Sequence, residues 1–294
     1  MSSTTLPGGP VGLAPPFDNP VTSTAALRAA ALQIRRHIVD MCAGPEGGHL
    51  GGSMSLVEIL TTLYLRVLRI DPARPAHPDR DILLLSKGHG GIALYATLCE
   101  AGFYPPGVLA GYGQRGSPLM AHPHPEIPGV EMPSGSLGHG LALGVGFALG
   151  ARLDGSDRRT VVVMGDGELQ EGSVWEAASV AAHHRLGNLL AVVDRNGLQI
   201  TGRTETVDAL EPLADRWHAF GWRVLEADGH DVAQLTAAFD TAPADRPTVV
   251  LAHTVKGKGL PFIEGQARSH YARLGERQQQ RAHAVLRAAE RGRS

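Results

Sequence analysis

Cysteine is scarce: Cys42 and Cys99 are the two in 294 residues. They cannot staple a chain of this size and stand in no metal-ligand spacing, so a disulfide scaffold and a zinc ribbon are excluded and a reduced cytoplasm is the expected setting. Net charge is also lacking, since 27 basic and 29 acidic side chains leave −2, which argues against a dedicated nucleic-acid face or a polybasic membrane surface. Long apolar runs are missing too. Stretches such as Thr160 to Met164 and Leu189 to Val193 fall far short of the ~18 residues that span a bilayer. The start of the chain has neither the basic opening nor the apolar stretch of a secretory signal. Its Pro, Gly, Ser and Thr predict a loose arm over residues 1–22. Against these absences stand a hydrophobic content of 43%, enough for a packed core, and 37 glycines gathered at a few places. Clustered glycine suggests backbone pressed against a ligand.

Leu27, Ala31, Ile34, Ile38 and Met41 recur at helical spacing and predict a first helix ending at Gly44-Pro45. Ser55 with Glu58 reads as a capping box before a helix from Leu56 to Leu68. Between the two lies a glycine-rich loop, Gly47-Gly48-His49-Leu50-Gly51-Gly52. From about residue 81 the pattern is strand, turn, helix, repeated. Apolar runs Ile82 to Leu85, Val161 to Met164, Leu189 to Val193, Trp222 to Leu225 and Val249 to Ala252 predict buried strands. Helices near Ile92 to Glu100, Leu141 to Arg152, Val174 to Arg185, Pro212 to Phe220 and Val232 to Phe239 separate most of them. This is the pattern of an α/β fold with a mostly parallel, doubly wound sheet. One body is expected over residues 23–275, followed by a solvated, Arg-rich helical tail over 276–294.

In such sheets the ligand sits beyond the carboxyl ends of the strands, where Ser86 to Gly91, Gly165-Asp166-Gly167, Asp194 to Gly197 and Lys256 to Gly259 fall. Asn196 stands 30 residues after Asp166, at the end of the next strand. One crossover therefore brings a carboxylate and a carboxamide together. Two hard oxygen donors suit Mg²⁺ or Ca²⁺ holding a phosphate-bearing ligand, and a helix starting at Glu168 would aim free N–H groups at negative charge. Taken singly, Asp166 also reads as an N-cap and Asn196 as a turn residue. Lys256 and Lys258 read either as point charges for phosphate or as solvated lysines. His37, His183, His184, His218 and His283 read as surface or helix-end residues, and His77, His124 and His230 as loop residues.

The ordered set Gly47 to Ser53, Leu85-Ser86-Lys87-Gly88-His89, His122-Pro123 with Pro128 to Glu131, Gly135 to Gly140, Gly165 to Gly172 and Thr254 to Gly259 resembles the amino-terminal half of transketolase over roughly residues 25 to 275. The resemblance implies the thiamine-diphosphate-binding fold. It implies a divalent cation, Mg²⁺ with Ca²⁺ or Mn²⁺ as substitutes, held by Asp166, Asn196 and the Leu198 carbonyl. Gly167, Glu168, Asn196, His89 and Gly135 would approach the diphosphate and Leu137 the cofactor's rings. His49, His122 and His270 would line the substrate channel, where imidazole carries protons either way near neutral pH. Glu171, and more weakly Glu176, would lie where acidic residues connect two active sites.

The resembling family completes its site with a pyrimidine-binding domain that supplies a catalytic glutamate, and no second set of strands follows here. The expectation is therefore the amino-terminal subunit of a split transketolase, inactive alone. It would move a two-carbon ketol unit from a ketose or ketose phosphate to an aldose or aldose phosphate. The partner would be a separate carboxyl-terminal subunit, in an assembly with two copies of each chain (α₂β₂). Other readings are one chain of another thiamine-diphosphate carboligase or decarboxylase, a non-catalytic partner chain, or an NADP-binding dehydrogenase suggested by Gly144, Gly146 and Gly150. That last fingerprint should follow a strand directly, and a Pro/Gly loop precedes it instead.

Overall fold

The computed structural model describes residue 21 and residues 23–240 and 245–292, so the expected arm lies almost wholly outside the described residues. Ser23 accepts a hydrogen bond from the Ala26 N–H at 3.1 Å and opens α1 (Thr24–Ala43), which ends at Gly44 as predicted and buries Leu27, Ala31, Ile34, Ile38 and Met41. The glycine run expected as loop is partly helix: α2 (Leu50–Ser55) starts directly after His49, then come α3 (Val57–Thr62) and a π turn, Leu63–Val67. The capping box expected of Ser55 and Glu58 does not form. Ser55 Oγ donates to the Gly52 carbonyl at 3.1 Å and to Asp194 at 2.6 Å, while Glu58 binds Arg35 and His230. Charge-assisted bonds to buried partners are stronger than a helix cap.

The chain continues through β1 (Ile82–Leu85), a 3₁₀ turn Gly88–Gly90, α4 (Gly91–Glu100), a 3₁₀ segment Pro106–Gly111, α5 (His139–Leu153) and β2 (Thr160–Gly165). A 3₁₀ turn Gly167–Gln170, α6 (Gly172–His183), β3 (Leu189–Arg195) and a small antiparallel hairpin, β4 (Leu198–Gln199) with β5 (Gly202–Arg203), follow. Then come α7 (Thr204–Val207), α8 (Leu213–Ala219), β6 (Arg223–Asp228), α9 (Val232–Phe239), β7 (Thr248–His253), a 3₁₀ turn Ala267–Ser269 and α10 (Glu276–Arg291). The expected helix at Glu168 is thus one 3₁₀ turn ahead of α6.

All five predicted strands form one parallel sheet in the order β1-β2-β3-β7-β6. Both faces are covered, which is why the strands read as unbroken apolar runs. Leu83, Leu85, Val161, Val163, Leu190, Val192, Val250 and Ala252 face the core shared with α1, α3, α4 and α9. Leu84, Val162, Met164, Ala191, Val193, Val249 and Leu251 face the second core, with Leu141 of α5, Val174 of α6 and Trp217 of α8. The carboxyl-terminal α10 is not merely solvated: it packs against α1 and buries Ala282 and Leu286. On α5, a Cβ at Gly144 would stand 2.4 Å from Val162 Cγ2, so that glycine serves close helix–sheet packing, and the helix follows a loop rather than a strand. Among the described residues no helix is long and apolar enough to cross a membrane.

Candidate active site

All five parallel strands end on one side of the sheet, and residues at and just beyond the ends of β1, β2 and β3 form a floor of buried charge. Lys87, just past β1, forms an ion pair with Asp194, the penultimate residue of β3, with exposures of 1% and 0%. Asp194 also accepts from the hydroxyls of Ser55 and Thr254. Burial alone would raise its carboxyl, but the Lys87 ammonium and these hydroxyls outweigh burial and hold it below its ordinary range.

Beside this pair stands the oxygen set expected to hold a cation. Asp166 is 2% exposed. It accepts from the Gly167 N–H at 2.8 Å, the Gly197 N–H at 2.5 Å and Arg195 at 3.4 Å. Burial first, and then Asp194, raise its carboxyl above the usual value, against the pull of Gly197 and Arg195. Asn196 Oδ1 accepts from the Leu198 N–H at 3.1 Å, and the Leu198 carbonyl accepts from Lys256 Nζ at 3.3 Å. The N-cap and turn geometries foreseen for Asp166 and Asn196 are therefore present alongside the clustering. Carboxylate, carboxamide and carbonyl are the hard donors a divalent cation takes, and a cation here would offset the cost of burying Asp166.

A glycine cradle borders the set. A Cβ at Gly88 would lie 2.4 Å from Ser134 Oγ and 2.7 Å from the Gly135 nitrogen, and one at Gly167 would lie 3.2 Å from Gln199 Cβ. Ser53 Oγ, Ser134 Oγ, Gln199 Oε1 and His49 Nδ1 are buried polar atoms with no partner among the described residues. The cradle, the orphaned polar atoms and the oxygen donors together fit a metal-linked diphosphate. The side chain of Glu168 has a different task from its proposed backbone contact: it is 2% exposed and joins the Gly138 N–H at 2.9 Å, the Gly165 N–H at 3.1 Å and Ser86.

Facing the floor is a cluster of imidazoles. His49, immediately before α2, has its ring centroid 5.7 Å from His89, 5.5 Å from His122 and 5.3 Å from His270. His89 and His270 are 5.1 Å apart. Burial, then His122 and the two lysines, hold His49 down to about 4. Burial, then Lys256 and His49, hold His270 to about 4. Burial and Lys87 keep His89 well below its usual value, and burial lowers His122. At neutral pH each ring is uncharged, with one N–H and one lone pair to offer.

Gly135, at φ +131°, passes against the His122 ring: its Cβ would lie 3.5 Å from that ring. Leu137 is half-buried in the following loop. Glu171 stands apart from the histidines, exposed at the start of α6 against Gly138. Sequence reasoning missed the Lys87–Asp194 pair, Gln199, whose Oε1 has no partner among the described residues, and Tyr271, whose ring lies 4.9 Å from His49. It left Lys256 open; at 2% exposure, with Nζ 3.0 Å from His270 Nδ1, Lys256 is not a solvated lysine. His230, read as a loop residue, is bonded to Glu58 at 3.0 Å and to the Val255 N–H at 2.8 Å.

A doubly wound parallel sheet with an anion cradle, oxygen donors and neutral imidazoles at its strand ends defines a nucleotide- or diphosphate-cofactor type of α/β protein. Residues 27–288 match the family described as transketolase, thiamine diphosphate binding domain. The chain is 43% identical over 239 residues to one of the component chains of the apulose-4-phosphate transketolase of Phocaeicola vulgatus, spanning 81% of this chain and 85% of that one. It is 45% identical over 248 residues to the chain of the same name from Actinobacillus succinogenes, across 83% of this chain and 90% of that one. The crystal structure of transketolase from Campylobacter jejuni superposes with a TM-score of 0.84 at 32% identity, over 90% of this chain and 43% of that one. The chain thus spans less than half of that solved transketolase and nearly the whole of the two component chains. It belongs to the transketolase family, in the thiamine-diphosphate-binding domain, and corresponds to the amino-terminal subunit of split transketolases, which are transferases.

Proposed function

We propose that this chain acts with a separate pyrimidine-binding subunit, two copies of each, to transfer a two-carbon ketol unit from a ketose or ketose phosphate to an aldose or aldose phosphate. The observation that carries the reading is the position of Lys256: its Nζ lies 3.3 Å from the Leu198 carbonyl and 3.0 Å from His270. The oxygen donors and the imidazoles therefore face one cleft. Asp166, Asn196 and the Leu198 carbonyl would hold Mg²⁺, with Ca²⁺ or Mn²⁺ as substitutes. His89, Gly135 and the N–H groups of Gly167 and Glu168 would meet the diphosphate, and Leu137 the cofactor's rings. Bound there, thiamine diphosphate supplies the electron sink for breaking and forming a carbon–carbon bond beside a ketone.

The chain's own residues bind, orient and move protons. Lys256 donates to His270 Nδ1, so the His270 ring proton sits on Nε2 and is free for a substrate hydroxyl. His49 and His122, both neutral, accept or return a hydroxyl proton at a ring nitrogen. Glu171, exposed at the start of α6, would meet the second copy of the chain. The family members named for apulose 4-phosphate and 6-deoxy-6-sulfo-D-fructose act on ketoses that carry an anionic group, and this supports a donor of the same kind. We take residues 23–275 as the diphosphate-binding domain and 276–294 as a tail, whose helix α10 (Glu276–Arg291) docks on α1. Two free buried cysteines suit the cytoplasm.

The test is calorimetry and turnover with the co-purified partner. Asp166→Asn is expected to weaken Mg²⁺-dependent thiamine diphosphate binding about 100-fold. Aldose release from a ketose donor is the expected product. Release of CO₂ from a 2-oxo acid, with none of the ketoses cleaved, refutes the assignment.

A further inference from the structure

The loop Thr254 to Leu260, which carries Lys256, is held by a buried network outside the site described above. Arg35 of α1 grips Glu58 of α3 through both terminal nitrogens, at 2.6 and 2.8 Å. The other partner of Glu58 is His230, in the turn between β6 and α9, whose Nδ1 lies 3.0 Å away. Arg35 is 3% exposed and Glu58 6%. The same two basic residues then reach the loop on either side of Lys256. His230 Nε2 takes the Val255 N–H at 2.8 Å, and Arg35 Nε donates to the Lys258 carbonyl at 3.1 Å.

The chemistry fixes the ring. A backbone N–H can only donate, so Nε2 accepts; the proton of the neutral ring is therefore on Nδ1, where it donates to the Glu58 carboxylate. Arg35 keeps that carboxylate ionised: burial works against it, yet the guanidinium and His230 hold it down to about 2. Further bonds complete the loop's fixation, from the Gly257 N–H to the Gly51 carbonyl at 2.9 Å and from the Gly265 N–H to the Lys256 carbonyl at 2.8 Å. At Gly259, with φ +93°, a Cβ would stand 2.8 Å from Arg35 Nε, so the loop lies flush on the guanidinium. A lysine stem loses much rotamer entropy when ordered, and fixing its backbone on both sides reduces the freedom its ammonium retains.

We propose that Arg35, Glu58 and His230 form a clamp that sets Lys256 for the anionic part of the bound cofactor, with His230 as a positioning residue. The proposal rests on the reading that this cleft takes thiamine diphosphate. The test uses the reconstituted two-subunit enzyme and reads the half-saturating thiamine diphosphate concentration, kcat at saturation and the thermal midpoint. His230→Gln keeps an acceptor where Nε2 was and can still take the Val255 N–H. His230→Asn reaches Glu58 but not Val255. His230→Asn is expected to raise half-saturation about tenfold, the loss of one hydrogen bond, with kcat changed less than twofold, and to add little on a Lys256→Met background. His230→Gln is expected to stay within about threefold of the parent.

Equal shifts for the two variants, or a full additional shift on Lys256→Met, overturn the clamp. If His230→Asn does not fold, Glu58→Gln, which removes the charge that orients the ring, replaces it under the same expectations. Asp166→Asn runs alongside. Weakened binding there with indistinguishable His230 variants defeats the clamp alone, whereas unchanged binding there defeats the reading of the cleft and the clamp with it.

Discussion

Replacing Lys87 with methionine probes the floor on which the site stands. The substitution keeps most of the aliphatic bulk and removes the ammonium from a carboxylate, Asp194, that is 0% exposed. Breaking a buried ion pair from one side costs about 3–5 kcal/mol. Asp194 would still accept from Ser55 at 2.6 Å, from Thr254 and from the Asn196 amide at 3.4 Å, so the low end, about 3 kcal/mol, applies. For a chain of this size that corresponds to a fall in Tm of roughly 6–12 °C. Urea and thermal denaturation of the full chain at pH 7 measure it. Adding Asp194→Asn removes the stranded charge and should restore more than half of the loss, giving a coupling of about 1.5 kcal/mol or more in the double-mutant cycle. A loss under about 1 kcal/mol, or additive effects in the cycle, would show that the pair does not act as the buried unit described.

Two further outcomes follow from the same geometry. His49 and His270 are held to about 4 in the folded chain against an ordinary 6.5, so between those pH values the unfolded chain takes up protons that the folded chain refuses. Their contribution is complete above about pH 6.5 and is lost as pH falls toward 4, worth roughly 1–2 kcal/mol for the pair once solvent screening of two half-buried rings is allowed for. Denaturation of the cofactor-free chain across that window should show the decline, and His49→Gln with His270→Gln should flatten it; an unchanged slope in the double variant contradicts the assignment. Gly88→Ala would drive a methyl to 2.7 Å from the Gly135 backbone nitrogen, forcing that loop to move at a cost of about 1–3 kcal/mol. Both Tm and thiamine diphosphate affinity should drop, and retention of both would mean that the cradle does not depend on this contact.

Most of the sheet was legible because its strands are covered on both faces and so stand out as short apolar runs bounded by turn residues. The oxygen donors and histidines were legible because glycine-flanked motifs mark the places where strands end. What escaped were pairings between distant positions, since no local period encodes them: Ser55 meets Asp194 139 residues away and Glu58 meets His230 172 residues away. The spacing of Ser55 and Glu58 imitated a cap for the same reason, because local distance cannot reveal that each has a stronger partner elsewhere. Yet one long-range pair did leave a trace. The chain has three lysines, Lys87, Lys256 and Lys258, all just beyond strand ends. Counting by twos along β1 takes Leu83 and Leu85 to Lys87, and along β3 takes Leu190 and Val192 to Asp194, so both charges continue rows that face the same core. Between them β2 runs Val161, Val163 and then Gly165, which pairs with Asp194 in register. A Cβ on Gly165 would stand 3.8 Å from the Lys87 stem, ordinary van der Waals contact, so the stem passes over this residue of the middle strand. The Lys87 stem thus crosses above the first residue of the Gly165-Asp166-Gly167 motif to reach its carboxylate, and the ion pair ties the ends of β1 and β3 together over β2.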